Sequence, residues 1–483
     1  MKRMKQHLAA LLAAALLAAP LAVPAAAGVY GDVDGDGTLG VLDVITLQKW
    51  IHGLGTLPSA RAADLDRSGI VDIFDLAMVK NALFAEGISE SSVELTKVGA
   101  SAETAPLTED FRDAQRKFAV ELMQHTMKEG ENVLVSPYSV MQALAMTDAG
   151  AVGDTRVAMD NALGGLAYES LAPQLGTYRL GQPDMLQTAN SVWFRDDADR
   201  IQVAPAFLAE CAGRFGASAF AAPFDQTTVD DINLWIRDRT ARMIPHMIDE
   251  LSDDTVMALV NAVSFDAKWM EPYDLVYAVR DGTFTNAAGE AQTVPFMWSE
   301  EHAYLEDAHA TGFLKYYDDG RYAFAAILPE DGLTPEAYLA GLDADGLRDI
   351  LTPLPPVENE EYGYTMMYQV TAAMPKLHTE SSMELNAPLC DMGMGLAFTE
   401  AADFSAMAKT SSGSLYIGQV LHKTAIDVNE DGTRAAAATV VEMTDEAAMV
   451  GEVRTVILDR PYVYMIVDTE NDIPLFIGTV NAF

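Results

Sequence analysis

The chain has 483 residues, carries 31 Lys and Arg against 71 Asp and Glu for a formal charge of −40, and is half hydrophobic. That hydrophobic content supports a large buried core and excludes a disordered polyanion. The charge excludes direct ligands such as nucleic acid or anionic lipid, whose phosphates it would repel. Two cysteines, Cys211 and Cys390, cannot build a disulfide scaffold; one bridge or two free thiols remain open, and no Cys/His set has the spacing of a four-ligand zinc site. The length is compatible with roughly three domains of about 150 residues or with one large fold beside a small one.

In chain order, Lys2, Arg3 and Lys5 precede a Leu/Ala run from Leu8 to Leu21, and Val23-Pro24-Ala25-Ala26-Ala27 offers small residues for cleavage after Ala27. This is the pattern of a secretory signal peptide over residues 1–27. The run is shorter than the roughly 20 residues that span hydrocarbon. No later stretch reaches about 18 uncharged apolar residues. A secreted, extracellular protein without membrane contact is expected.

An internal repeat follows. Asp32, Asp34, Asp36, Thr38 and Asp43 recur 32 positions later as Asp64, Asp66, Ser68, Ile70 and Asp75. Both copies place side-chain oxygens at loop positions 1, 3, 5 and 12, a glycine (Gly37, Gly69) at 6, and a backbone carbonyl (Thr38, Ile70) at 7. Ca²⁺ takes six to eight oxygens at about 2.3–2.6 Å, and acceptors at alternate positions let a loop wrap it. Two Ca²⁺ ions are expected, one per loop. The twelfth residue is Asp rather than Glu, and each loop leads into one helical pattern, Val44–His52 and Leu76–Phe84, with no full helix before it. A duplicated half EF-hand of this kind resembles a dockerin, a small all-α module that binds a cohesin of a cellulosome-type scaffoldin; residues 28–87 are assigned to it. In that family loop positions 10 and 11 carry recognition residues, here Val41, Leu42, Ile73 and Phe74. Their apolar character suits a hydrophobic docking face or, equally, the module's own small core.

Residues 29–87 hold 9 acids and 4 bases, so most of the negative charge belongs to residues 88–483, with 62 acids against 24 bases. This fits a solvated extracellular surface. Residues 88–108 read as a linker, with Ser89, Ser91, Ser92, Gly99, Ser101, Thr104 and Pro106 and no sustained periodicity. From 109 to 483 the chain mixes helical patterns (111–127, 231–249, 334–351) with β-rich runs (187–194, 255–265, 322–328, 364–374, 462–468). That predicts an α+β domain dominated by antiparallel strands. It contains no G-x-S-x-G, H-E-x-x-H, G-x-x-x-x-G-K-[ST] or G-x-G-x-x-G motif, so no enzyme is expected.

One segment is unusual: Glu430-Asp-Gly432-Thr433-Arg434, then Ala435 to Ala438, then Thr439-Val-Val441-Glu-Met443. Written as a strand, one face takes Thr433, Ala435, Ala437, Thr439, Val441 and Met443, and both charges, Arg434 and Glu442, fall on the other. Four consecutive alanines have weak strand propensity and lose no side-chain entropy on burial. Gly432 offers a backbone pivot. The segment reads either as an exposed loop that can become a central strand or as an Ala-rich helix or linker.

The remainder resembles a serpin from end to end. The residues that carry the resemblance are Asn132 to Val140 with Gly150 to Thr155, Thr188 to Phe194, Leu259 to Phe265 with Trp269, Pro375 to Leu377, Gly393 to Gly395, Ala402 to Ser405, Leu421 to Glu430, Arg460 to Tyr462 and Phe476 to Gly478. The resemblance implies a large mixed, mainly antiparallel sheet A over residues 109–483, a mobile reactive loop, and suicide inhibition of serine proteases. It also implies a hinge at Glu430, Gly432, Thr433, Ala435 and Ala437, and a shutter of Ser136, Ser139, Asn261 and His422. Ser136 and His422 are not taken as a catalytic dyad, because Ser136 precedes Pro137 outside any nucleophile elbow. Family spacing puts the reactive bond at Glu446-Ala447, suiting a glutamyl-specific protease. Met443, Ala447, Ala448 or Val450 would suit elastase- or subtilisin-like enzymes instead. The alternative function is a non-inhibitory binding or structural protein on the same fold.

Overall fold

The computed structural model describes residues 33, 41–58, 63, 71, 73, 75–76, 88–89, 91–95, 104–183, 185–240, 243–244, 246–273, 278–359, 364–433 and 452–483. Contacts divide the chain into two compact units, Met1–Gly87 and Ile88–Phe483.

In the first unit, helix α1 (Val41–Ile51) starts three residues earlier than its apolar pattern indicated. Val33, Val44, Leu47, Ala63 and Leu76 form a small apolar core, supported by Trp50, Ile51 and Leu57. Asp43 and Asp75, the twelfth residues of the two loops, are buried.

The second unit is built on β-sheets. Its first strand, β1 (Val93–Glu94), lies inside the stretch expected to be a linker. It pairs antiparallel with β3 (Ser218–Ala222), Val93 opposite Ala221. Just before it, Ser89 donates from its backbone N and its Oγ to the two carboxylate oxygens of buried Asp231, at 2.8 and 2.6 Å. Residues 88–95 are therefore part of the folded unit, because an unpaired sheet edge captures them.

Strand β3 continues the sheet in parallel to β2 (Leu186–Arg195), which pairs antiparallel with β4 (Met257–Phe265). Helix α4 (Gln226–Arg239) covers this sheet, and Ile232, Trp235 and Ile236 pack on Trp193, Phe220 and Val260. The helical pattern extended to 249, but the helix stops at Arg239. Pro245 cannot continue a helix, and the Asn233 side chain accepts from the backbone N–H groups of Met247 and Ile248 at 2.7 and 3.0 Å. The pattern at 334–351 is likewise two short helices, Pro335–Ala340 and Ala344–Leu351, the second capped by Asp343.

A second four-stranded sheet runs β6 (Leu377–Glu384), β7 (Leu421–Val428), β8 (Gly432–Thr433) and β5 (Ala267–Lys268), all antiparallel. Because β4 leads through Asp266 directly into β5, the two sheets are halves of one surface. They are joined at one end by β8 and parted below it. Behind them stands a six-stranded antiparallel sheet of Ala303–Glu306, Ala310–Tyr316, Tyr322–Pro329, Tyr462–Asp468, Ile473–Val480 and Val133–Val135. Its central strands, Tyr322–Pro329 and Tyr462–Asp468, are buried throughout. Helices α2 (Glu109–Thr126) and α3 (Pro137–Asp148) complete the main core. Both cysteines are free thiols, Cys211 buried and Cys390 exposed.

Candidate functional site

Where β4 and β7 part, a cleft of about 510 Å³ opens between them. Its walls include Leu259 and Asn261 of β4, Leu421 and His422 of β7, and Val140 and Leu144 of α3. A strand laid here would find sheet edges on both sides. The segment Met247 to Ser252 also borders the cleft, and Lys423 of β7 reaches across to the carbonyl of His246 at 2.9 Å.

Below the cleft a hydrogen-bond chain crosses from one half-sheet to the other. The Ser136 backbone N–H donates to His422 Nε2 at 3.0 Å, and Ser136 Oγ donates to the carbonyl of Leu475 at 2.8 Å. Ser136 caps α3, its Oγ accepting from the Ser139 N–H at 3.3 Å. Ser139 Oγ donates to Asn261 Oδ1, Asn261 Nδ2 to Asn190 Oδ1 at 2.6 Å, and Asn190 Nδ2 to the carbonyl of Phe215 at 2.7 Å. The fold thus brings Ser136, Ser139, Asn261 and His422 into one buried network, together with Asn190, which lay unassigned inside the Thr188–Phe194 motif. Ser136 presents its backbone rather than its hydroxyl to the imidazole, so the pair has no nucleophile–base geometry. Separating the half-sheets would strand these groups away from water, at a cost of about 1–3 kcal/mol for each buried group left unpaired.

Burial pulls the His422 imidazole down to about 4 from its usual 6.5. It is neutral at pH 7, and since Nε2 accepts from Ser136, Nδ1 carries the proton. The unfolded chain takes up a proton near pH 6.5 and the folded chain only near 4. The associated stability is therefore complete above pH 6.5 and is lost as pH falls towards 4, about 3 kcal/mol in all. Urea unfolding midpoints should fall between pH 7.5 and 5, and His422→Gln should flatten that dependence. Equal slopes in both proteins would show that His422 is not the group responsible.

At the top of the cleft the chain enters the segment singled out by its alternation. Thr433 is fully buried, as its inward position requires, and its hydroxyl lies 2.6 Å from Tyr317 Oη. Tyr317 stacks on Trp269 with ring centroids 4.6 Å apart. Trp269 donates from Nε1 to the Asn429 carbonyl at 2.8 Å and from its backbone N to the Asp431 carbonyl at 3.1 Å. Glu430 forms an ion pair with Lys376. A Cβ at Gly432 would overlap the carbonyl of Ala267 and lie 2.8 Å from Lys268 Cα, so close backbone approach demands glycine here. Tyr317 carried no sequence signal of this role, and Lys376 lay unassigned inside the Pro375–Leu377 motif, because their partners lie far away in the chain.

The remaining hinge residues, Ala435 and Ala437, and the bond Glu446-Ala447 lie outside the described residues. So do Asp32, Asp34, Asp36, Thr38, Asp64, Asp66, Ser68 and Ile70, and the side chains of Val41 and Phe74. Leu42 and Ile73 are 60% and 58% exposed and stand apart from the small core of their unit.

The family model Serpin (serine protease inhibitor) matches residues 113–482, and Dockerin type I domain matches residues 30–84. A leukocyte elastase inhibitor of Bos taurus is 29% identical over 397 residues, covering 77% of this chain and all of that protein. An uncharacterized serpin-like protein of Thermococcus kodakarensis is 30% identical over 379 residues, 76% of this chain and 84% of that protein. Among solved structures, Tengpin, a thermophilic serpin, matches in its native state with TM-score 0.73 and 35% identity over 81% of this chain and all of its own. Its latent state gives 0.67 at 34% identity, over 79% of this chain and all of its own.

Proposed function

The chain belongs to the serpin family and carries a dockerin type I domain, and from that premise we propose a secreted suicide inhibitor of serine proteases, anchored through its dockerin to a cohesin on a scaffold. The observation that carries the reading is the cleft between β4 and β7, bordered by two strand edges, in a sheet closed at its other end by Thr433, after which the sequence runs on into four alanines. A protease serine attacks the carbonyl carbon of the reactive residue, Glu446 by family spacing. The peptide bond breaks, the amine of Ala447 leaves with a proton, and an ester joins the enzyme to the loop. The freed segment from Thr433 onward, with Ala435 and Ala437 facing inward, then slides into the cleft. About 14 residues at 3.3 Å each carry the enzyme on the order of 50 Å. The network at Ser136, Ser139, Asn261 and His422 holds the halves together until that moment.

Incubation with subtilisin, pancreatic elastase and a glutamyl-specific endopeptidase, followed by mass spectrometry, tests the reading. An SDS-stable adduct and one short released peptide are expected, and the peptide's first residue identifies the reactive bond. Cleavage by all three without any adduct would leave only a binding or structural protein.

Calcium supports the dockerin. The Asp43 and Asp75 carboxylates, last in their loops, are buried and supply the hard oxygen donors that Ca²⁺ takes. With the other loop oxygens they would hold one ion each and fix the loops. EDTA should abolish cohesin binding and lower the melting temperature of the small unit by calorimetry, leaving the transition of residues 109–483 in place. Indifference of both to EDTA would remove calcium from the account.

A further inference from the structure

A second cleft, of about 450 Å³, lies apart from the opening between β4 and β7 and shares no lining residue with it. Its lining is largely apolar: Met270, Leu314, Tyr316, Leu354, Pro355 and Met367. Its charged floor is satisfied internally. Lys315 pairs with Glu301 at 2.8 Å, Ser299 Oγ donates to the same carboxylate at 2.6 Å, and the Lys315 ammonium lies 4.5 Å from the centre of the Tyr273 ring. A cation so neutralised offers little to an anionic ligand. At the rim stand the exposed side chains of Glu271 and His302, with His302 Nδ1 facing the Tyr368 carbonyl at 3.0 Å.

The position of this cleft is informative. Trp269, next to Met270, donates its backbone N–H to the Asp431 carbonyl, two residues before Thr433. The Met367 carbonyl accepts from the N–H of Glu452, at 3.2 Å, at the start of the strand Glu452–Ile457. The cleft therefore lies between the anchored ends, Asp431 and Glu452, of the segment that carries the reactive bond by family spacing. Met270 and Met367, one on each side, are 50% and 46% exposed. Methionine is flexible and polarizable, and adapts to a partner's contour.

Building on the proposed function, we propose that this cleft is an auxiliary docking site for the attacking protease, taking an apolar side chain from the enzyme's surface beside its substrate groove, flanked by a basic residue that meets Glu271. Because Asp431 and Glu452 are both anchored beside the cleft, an enzyme bound to the chain between them is tethered near it, so the second contact forms within the encounter complex at high effective concentration. A basic flank suits a domain with 62 acids against 24 bases. The site acts on the rate and choice of encounter, whereas the reactive residue governs cleavage.

The test pairs Met270→Glu/Met367→Glu with Glu271→Lys, all at exposed positions, against whichever of subtilisin, elastase or the glutamyl endopeptidase forms an adduct. The second-order inhibition rate constant should fall roughly tenfold or more for the double variant. The number of inhibitor molecules used per enzyme inactivated, and the rise in melting temperature after loop cleavage, should stay as in the parent. Glu271→Lys should slow the same reaction and weaken its dependence on ionic strength. Cleavage of a free peptide spanning 430–456 calibrates the enzyme's taste for the loop alone. An unchanged or faster rate in the double variant overturns the docking site while leaving the inhibitor reading intact. Failure of the parent to form an adduct with any protease overturns that reading, and the docking site with it.

Discussion

Thr433→Arg is expected to turn this protein from an inhibitor into a substrate. Thr433 is fully buried between β5 and β7, and its hydroxyl meets Tyr317. A guanidinium at this position must either be buried without a partner, which costs several kcal/mol, or hold the hinge out of the sheet. Each 1.4 kcal/mol added to the insertion barrier slows insertion about tenfold, while hydrolysis of the acyl-enzyme continues at its own rate. The partition therefore swings to release of cleaved protein and active enzyme. Gel analysis should show cleaved chain replacing the SDS-stable adduct, with the number of inhibitor molecules used per enzyme rising roughly tenfold or more. Thr433→Ser, which keeps the hydroxyl, should behave as the parent. Full inhibition by the arginine variant would refute the inward assignment of this residue.

The second large effect is on stability. Cutting the loop between residues 440 and 450 frees the upstream segment to enter the cleft between β4 and β7. A new central strand gains on the order of 10 backbone hydrogen bonds at about 1 kcal/mol net each. That total is comparable to the whole folding stability of an ordinary domain. The melting temperature of the cleaved protein should rise on the order of 20 °C or more. Such a gain means that the intact fold is a kinetic trap, held by barriers rather than by depth. In that case the Ser136–His422 and Ser139–Asn261 hydrogen bonds, which link the two half-sheets, would count towards that barrier. Thermal stability unchanged by cleavage would remove both the insertion mechanism and the trap.

Much of this was legible locally. The dockerin was readable in a 32-residue repeat, and its family model matches residues 30–84. The period-2 alternation after Gly432 put Thr433 on the inward face, and it is buried there. Strands such as Tyr462–Asp468 carry their apolar runs visibly. Other features were hidden. Residues 88–95 look like linker because their strand is held by the edge of β3 and by Asp231, about 130 or more positions away. The end of α4 at Arg239 depends on Asn233 diverting two backbone N–H groups, a competition that apolar periodicity does not register.

The sequence by itself determined the order of parts, a dockerin type I domain followed by a serpin domain, and an alanine run after Gly432 whose charges fall on one face of a strand. Those are properties of neighbouring residues, and side-chain chemistry at short range dictates them. Only the tertiary structure decided that β4 and β7 stand apart beneath Thr433, that His422 reaches Ser136 across 286 positions, and that a second cleft lies between the anchored ends Asp431 and Glu452. A gap between strands is a relation among residues distant in the chain, and it leaves no local signature because no single segment contains both of its walls.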